Sequence, residues 1–196
     1  MPPINLQPVS LERMVQAVER VRDRLARAVK VLEGAGIPYA VAGGNAVAAW
    51  VTRVDAAAVR NTQDVDILLR REDLERAKEA FAKAGFIYRH VKSIDMFLDG
   101  EDAKARDAVH VLFAEERIKA DDLSLTPSLD QIDTQGDFNV VDLEALVRMK
   151  LTSYRDKDRT HLRDFIDVEL IDATWPSRFT PELGKRLQDI LDTPDG

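Results

Sequence analysis

Apolar residues recur at spacings of three and four over residues 10–33, and charged residues lie between them. This pattern predicts an amphipathic α-helix. Ser10 suits its N-cap, and Gly34 or Gly36 suits its C-terminal end. We expect the apolar face of this helix to pack on a sheet.

A short apolar run over residues 39–42 predicts a buried strand. Gly43 and Gly44 interrupt this run, and the Ala- and Val-rich residues 45–57 favour a buried helix. A glycine pair therefore lies where a strand turns into a helix. Glycine permits positive φ and the close approach of a ligand, and the free N–H groups at a helix start suit a phosphate.

The rest of the chain alternates between helical and strand-like patterns. The acidic residues 118–138 contain Pro127 and Gly136 as breakers, so we expect an irregular segment that crosses the sheet edge or forms a lid. The regular patterns predict helices over 70–84 and 142–154, a helical continuation over 165–175, a last helix over 180–191, and strands over 86–91, 94–98 and 108–114.

These elements predict an α/β (α+β) fold in which helices flank a mixed sheet and the C-terminal part is helical. The length of 196 residues fits one compact domain. Within it we expect a core over residues 1–120, which includes the N-terminal helix. Residues 121–196 would form a mostly helical extension packed on this core.

The composition restricts the partners. The net charge of −7 argues against generic DNA binding, and the absence of cysteine excludes disulfides and thiolate metal sites. The first residues lack the pattern of a signal peptide, and no apolar run has membrane-spanning length. We therefore expect a cytoplasmic protein without a membrane partner.

Two acidic residues, Asp64 and Asp66, lie in an apolar run that reads as a strand. The period of two places both carboxylates on one face, and Val65 and Ile67 on the other. Neighbouring carboxylates repel each other and are costly to bury, and a divalent cation between them removes both costs. Mg²⁺ prefers such oxygen ligands and leaves positions open for phosphate oxygens.

The glycine pair and the two acids form one ordered pattern, which resembles the signature of the nucleotidyltransferase superfamily with its polymerase-β-like palm. The nearest resemblance is to minimal bacterial nucleotidyltransferase domains, which include abortive-infection toxins of the AbiEii kind and antibiotic nucleotidyltransferases. The clear match covers residues 37–69 and a weaker one covers residues 150–172. The residues that carry the clear match are Gly43, Gly44, Arg60, Thr62, Asp64 and Asp66.

The resemblance implies an enzyme that transfers a nucleotidyl group from a nucleoside triphosphate to a hydroxyl. Asp64 and Asp66 would hold Mg²⁺ as catalytic metal ligands. The acceptor stays open, because a tRNA end, a protein hydroxyl and a small molecule fit the same donor site. The residues expected to bind the nucleotide are Gly43, Gly44, Asn45, Arg60, Thr62 and Lys150.

His110 departs from the superfamily pattern, because a third carboxylate usually lies at the corresponding position of a later strand. An imidazole could accept the proton of the acceptor hydroxyl near neutral pH, although it is a poorer Mg²⁺ ligand. Alternatively, His110 only fills a half-buried face. Asp107, just before this strand, would reach the site only through a bulge or a change of register.

The departure at His110 keeps a second functional class open. The chain would then be a catalytically impaired nucleotide-binding module, or an interaction subunit such as one half of a toxin–antitoxin pair. Dinucleotide-binding and P-loop folds are disfavoured, since neither Gly-x-Gly-x-x-Gly nor Gly-x-x-x-x-Gly-Lys-Ser/Thr is present.

Five cationic residues gather between Lys150 and Asp167 in a chain that is acidic overall. This segment resembles the Lys, then Arg-x-Lys-Asp-x-x-Asp, arrangement of AbiEii-like proteins. The resemblance implies that Lys150 is catalytic and meets the triphosphate, and that Asp164 or Asp167 holds a helix pair together. The alternative is a solvated helix face with local ion pairs, and the exposed cations could also face a protein partner.

Overall fold

A computed structural model of the chain describes residues 8–134 and 136–193. Within these residues, six α-helices cover the two faces of one seven-stranded sheet. The helices are α1 (Leu11–Gly34), α2 (Gly43–Thr52), α3 (Leu74–Lys83), α4 (Leu143–Ser153), α5 (Asp156–Asp167) and α6 (Pro181–Asp192). The strands are β1 (Ala40–Ala42), β2 (Val65–Leu69), β3 (Ile87–Val91), β4 (Ile94–Leu98), β5 (Ala108–Phe113), β6 (Ile132–Asp133) and β7 (Val140–Val141).

The sheet is mixed, with strand order β3-β4-β5-β2-β1-β7-β6. The β2–β5 and β1–β7 pairs are parallel, and the other neighbours are antiparallel. The predicted α/β class is therefore confirmed. In the centre, Asp66 of β2 pairs with Ala42 of β1 on one side and with His110 of β5 on the other.

Each face of the sheet carries its own apolar cluster. Helices α1 and α3 cover one face, where Ile67 of β2 joins Phe81 and Phe97, whose rings stack 4.1 Å apart between centroids. Leu68 of β2 belongs to the opposite cluster, which α2, α4, α5 and α6 cover. Because strand side chains alternate, Asp66 faces the same side as Leu68, toward α2 and α5.

Helix α1 packs on the sheet only through its C-terminal half, which corrects the expectation for the whole apolar face. Leu25 and Leu32 are buried, whereas Leu11, Met14 and Val15 are exposed. The helix has 24 residues and extends about 36 Å, and its buried residues lie between Arg24 and Leu32, so its first turns do not take part in the core.

Two predicted helix boundaries are wrong. Helix α2 begins at Gly43 itself and ends at Thr52, before a separate 3₁₀ turn over Ala56–Ala58. The helical continuation predicted over residues 165–175 stops after its first three residues, because α5 ends at Asp167. There Glu169 has a φ of +59°, and the amide of Leu170 donates back to the carbonyl of Phe165, which closes the helix end.

The acidic segment over residues 118–138 crosses from β5 to the opposite edge of the sheet. Its described part contains the short strand β6, which pairs with β7. Thr126 anchors the crossing, since its buried hydroxyl contacts the carbonyl of Phe113. None of the helices in the described ranges combines the length and apolarity that crossing a membrane requires.

Candidate active site

The glycine pair forms the first turn of α2, directly after β1. Ala42 occupies the N-cap position and supplies no side-chain hydrogen bond to the helix start. The first N–H groups of an α-helix have no partner within the helix, and they carry the positive end of its dipole. The start of α2 therefore offers backbone donors to an anion.

Both glycines lie in close contact with side chains of β2 or of the segment that leads into it. A β-carbon on residue 43 would lie 1.8 Å from Oδ2 of Asp66, and one on residue 44 would lie 2.5 Å from Oγ1 of Thr62. Gly43 also has a φ of +62°. The antiparallel pairing of β1 with β2 thus brings Gly43, Gly44, Thr62 and Asp66 to one place.

Asn45 fixes the residues that precede β2. Its side-chain amide donates a hydrogen bond of 2.7 Å to the backbone carbonyl of Asp64. The Asp64 carboxylate is half-exposed, and the Nζ atom of Lys157 lies 3.4 Å from its Oδ2. A cation from α5 therefore already lies beside one of the two predicted metal ligands.

His110 lies beside Asp66 on the neighbouring strand. Its Nδ1 is 3.7 Å from Oδ1 of Asp66, and its Nε2 is 3.1 Å from the carbonyl oxygen of Ala105. The Asp66 carboxylate raises the pKa of His110, and burial of the ring acts in the opposite direction. Asp107 does not join this group, because its carboxylate pairs with Arg24 of α1 at 3.5 Å.

Lys150 is buried at the interface of α4 and α5. Its Nζ lies 3.2 Å from Oδ1 of Asp158, and Oδ2 of the same carboxylate accepts a 2.8 Å hydrogen bond from Nε of Arg155. Burial lowers the pKa of Lys150, and Asp158 opposes this shift. Burial acts to raise the pKa of Asp158, but Arg155 and Lys150 outweigh it and bring the value to about 2.

The aspartate that joins the two helices is therefore Asp158, rather than Asp164 or Asp167. Asp164 instead accepts a 2.7 Å hydrogen bond from Nε of Arg60, so it ties α5 to the loop before β2. Arg60 is largely exposed, and its guanidinium lies beside this buried carboxylate. The structure thus places Arg60 at the junction of α5 with the loop.

Lys157, one of the five cationic residues of this segment, and His161 belong to the same region, although the sequence indicated no individual role for either of them. Burial and the nearby Lys150 lower the pKa of His161 to about 4. The available signal was their spacing: Lys157, His161 and Asp164 are four and three residues apart, which places them on one face of α5. Its contacts with Asp64 and Arg60 show that this face is directed toward the segment that leads into β2.

Asp64 and Asp66 suit a divalent cation whose coordination a bound phosphate would complete. Within residues 8–134 and 136–193, no three His, Asp or Glu side chains form a ready-made metal cage. However, Mg²⁺ is usually held by one or two carboxylates together with substrate phosphates, not by an all-protein cage. The Lys157 ammonium beside Asp64 and the Asp66 carboxylate packed against Gly43 at the start of α2 are consistent with such a site.

Solved structures with a similar fold include two nucleotidyltransferase-type proteins. An antigenic nucleotidyltransferase-like protein from Paracoccidioides brasiliensis superposes with a TM-score of 0.55 at 18% identity, over 96% of this chain and 92% of that one. ANT(2″)-Ia in complex with adenylyl-2″-tobramycin superposes with a TM-score of 0.52 at 12% identity, over 91% of this chain and 98% of that one. At these identities the similarity establishes the fold.

A family model provides the assignment. No curated protein matches the chain. The model described as "uncharacterised nucleotidyltransferase" matches residues 9–194, which is nearly the whole sequence. The resemblance to the nucleotidyltransferase superfamily is therefore confirmed, while the narrower likeness to AbiEii-like proteins stays a prediction. The chain belongs to this uncharacterised nucleotidyltransferase family.

Proposed function

We propose that the protein transfers a nucleotidyl group from a nucleoside triphosphate to a hydroxyl acceptor, with the help of a divalent metal ion. Family membership supports nucleotidyl transfer in general. The observation that carries the specific proposal is the meeting of three groups: the uncapped start of α2, the Asp66 carboxylate beside it, and the Lys157 ammonium beside Asp64.

The start of α2 would hold the phosphates. Its free N–H groups would donate hydrogen bonds to phosphate oxygens, and the missing side chain of Gly43 lets the Asp66 carboxylate lie against the helix start. Lys157 reaches the same edge from α5, so its ammonium can leave Asp64 and pair with a phosphate. Thr62 packs on Gly44 and keeps the loop close to the helix start.

Asp64 and Asp66 would hold the metal, for which the sequence predicts Mg²⁺. When bound there, such a metal would supply positive charge that neutralises the phosphates for in-line displacement. The attacking hydroxyl must also lose its proton, and the Asp66 carboxylate and the His110 imidazole lie at this edge of the sheet. Catalysis of this kind depends mainly on positioning and charge neutralisation, which these residues supply.

The acceptor is proposed only by chemical class. ANT(2″)-Ia was solved with an adenylylated tobramycin, so a small hydroxylated molecule is one candidate. A tRNA end and a protein hydroxyl are the other two.

Calorimetry with a nonhydrolysable triphosphate analogue, with and without a divalent metal, tests the donor site. We expect metal-dependent binding in the parent and its loss in Asp64→Asn and Asp66→Asn. Asp102→Asn, which changes an exposed aspartate in a loop, is the matched control and should bind as the parent does. Equal binding by all four proteins would refute the assignment of the two acids.

A second candidate function is that of a nucleotide-binding module with impaired catalysis. The presence of His110 at the position of a usual third carboxylate favours it. Pyrophosphate release separates the two readings: an enzyme releases pyrophosphate when an NTP and a suitable acceptor are supplied, whereas a binding module retains the intact triphosphate.

A further inference from the structure

His110 and Asp66 are direct partners across the β2–β5 pair, which runs in register over five residue pairs. Strands β2 and β5 are parallel, so paired residues direct their side chains to the same face of the sheet. The His110 Nδ1 atom lies 3.7 Å from Oδ1 of Asp66. The His110 imidazole and the Asp66 carboxylate therefore lie where both can contact the same cation.

The other ring nitrogen of His110 is anchored to the backbone. Its Nε2 lies 3.1 Å from the carbonyl oxygen of Ala105, and a carbonyl can only accept a hydrogen bond, so Nε2 carries a proton. Ala105 belongs to a 3₁₀ turn, Ala105–Asp107, that leads directly into β5. Nδ1 is then the ring nitrogen that faces Asp66, and a metal ion would bind it in place of a proton.

We propose that Nδ1 of His110 is a metal ligand beside Asp66, and that the site consequently prefers a first-row transition-metal dication such as Mn²⁺ over Mg²⁺. This inference rests on the proposed function and specifies its metal. A metal-bound histidine usually donates its second ring N–H to a carbonyl or a carboxylate, which is the arrangement of His110 with Ala105. Imidazole suits transition-metal ions, whereas Mg²⁺ favours oxygen ligands.

This assignment replaces the two roles that the sequence left open for His110. A proton acceptor needs the same Nδ1 lone pair that the metal would occupy. A residue that only fills space needs neither the contact with Asp66 nor the anchor at Ala105, and the ring is one-fifth exposed rather than enclosed.

Asp64 would become the third protein ligand of the metal once its ion pair with Lys157 is broken. Its carboxylate is engaged by the Lys157 ammonium at 3.4 Å. A triphosphate would draw Lys157 away and supply the remaining oxygen ligands.

The test is pulsed EPR on Mn²⁺ bound to the full chain with a nonhydrolysable triphosphate analogue. With ¹⁵N-histidine in place of ¹⁴N-histidine, we expect a ¹⁵N hyperfine coupling to Mn²⁺ to replace the ¹⁴N coupling. The coupling should vanish in His110→Asp and persist in His90→Gln. His90 is the matched control, because its Nδ1 lies 3.0 Å from Asp95, a second His–Asp pair on strands β3 and β4.

Competition between Mn²⁺ and Mg²⁺ gives a second readout. His110→Asp should reduce the preference for Mn²⁺ by about tenfold or more, since it restores an all-oxygen ligand set. Metal bound through Asp64 and Asp66 without nitrogen coupling, and with an unchanged preference, would overturn this inference and leave the proposed function standing. Failure to bind either metal, with or without the analogue, would overturn both.

Discussion

Gly43 and Asp66 lie so close together that a β-carbon on residue 43 would be 1.8 Å from the Asp66 carboxylate. The contact follows from the register of two strands, because Ala42, the last residue of β1, pairs with Asp66. The absence of a side chain at residue 43 is thus a condition for the position of the acid.

The first prediction concerns Gly43→Ala. The added methyl group must displace the Asp66 carboxylate, and the φ of +62° adds strain of about 1–2 kcal/mol. We expect metal-dependent binding of a triphosphate analogue to weaken at least tenfold, as measured by calorimetry, and the melting temperature to fall.

Gly36→Ala separates backbone strain from the contact with Asp66. Gly36 has a similar φ of +59°, but nothing lies within 4 Å of its β-carbon position. It should lose stability through strain alone and bind the nucleotide as the parent does. The close contact would be irrelevant to binding if the two variants bound equally well.

The strand–glycine–helix unit and the alternation of Asp64 and Asp66 with Val65 and Ile67 were predictable, because local spacing determines them. The sequence did not predict that only the C-terminal half of α1 packs on the sheet, since an amphipathic pattern does not show where the sheet ends. Strands β6 and β7 have two residues each, which is too short for a periodic signal. The reversal at Glu169 lies in an apolar pattern that continues past it.

The candidate site shows the same division between local and distant information. The sequence placed His110 on the face of the acids, but its pairing with Asp66 depends on the β2–β5 register. Lys157 reaches Asp64 only because α5 packs on α2, and 93 residues separate the two in the chain. Burial of Lys150 likewise depends on how α4 meets α5.

The second prediction concerns Lys157→Met. The Lys157 ammonium competes with a metal for Asp64, so its removal should tighten binding of the metal alone by a few fold. The same change removes a cation for the phosphates, so binding of the metal–triphosphate complex should weaken about tenfold. Calorimetry with Mn²⁺ alone, and then with the analogue, measures both effects.

Lys185→Met is the control for this pair of effects, because Lys185 is an exposed lysine of α6. Neither affinity should change in that variant. If Lys157→Met weakened or tightened both the binding of the metal alone and the binding of the metal–triphosphate complex, Lys157 would not move from Asp64 to a phosphate.

The third prediction concerns the buried pair of Lys150 and Asp158. Removing one partner of a buried ion pair costs about 3–5 kcal/mol, and Arg155 remains to support Asp158, so Lys150→Met should cost about 2–3 kcal/mol. Urea denaturation measures this loss in the free energy of unfolding. Part of it should be recovered in Lys150→Met/Asp158→Leu, which removes both charges.

Lys150 also carries the expectation, implied by the resemblance, that it meets the triphosphate. A Lys150→Met protein with parental stability but lost nucleotide binding would support that role over the buried ion pair. A large loss of stability with retained affinity would assign Lys150 to the α4–α5 interface.

The last prediction concerns the pH dependence that His161 gives to stability. Burial lowers its pKa to about 4 from 6.5, so the unfolded chain binds a proton at a higher pH than the folded protein does. The contribution of neutral His161 to the free energy of unfolding is fully present above pH 6.5 and is lost as the pH falls toward 4. We expect the free energy of unfolding of the parent to fall by on the order of 2 kcal/mol because of this group. This is less than the full pKa shift implies, because the ring is partly exposed.

Urea denaturation between pH 7.5 and 4.0 isolates this effect when the parent is compared with His161→Gln. Other titrating groups contribute to both proteins, and Asp158, with its pKa near 2, titrates in the folded state below this window. Among the described residues, Nδ1 of His161 is buried without a hydrogen-bond partner, so a proton added there would have no acceptor. Parallel pH profiles for the two proteins would show that His161 is solvated in the folded state, and a flatter profile for His161→Gln would confirm its burial beside Lys150.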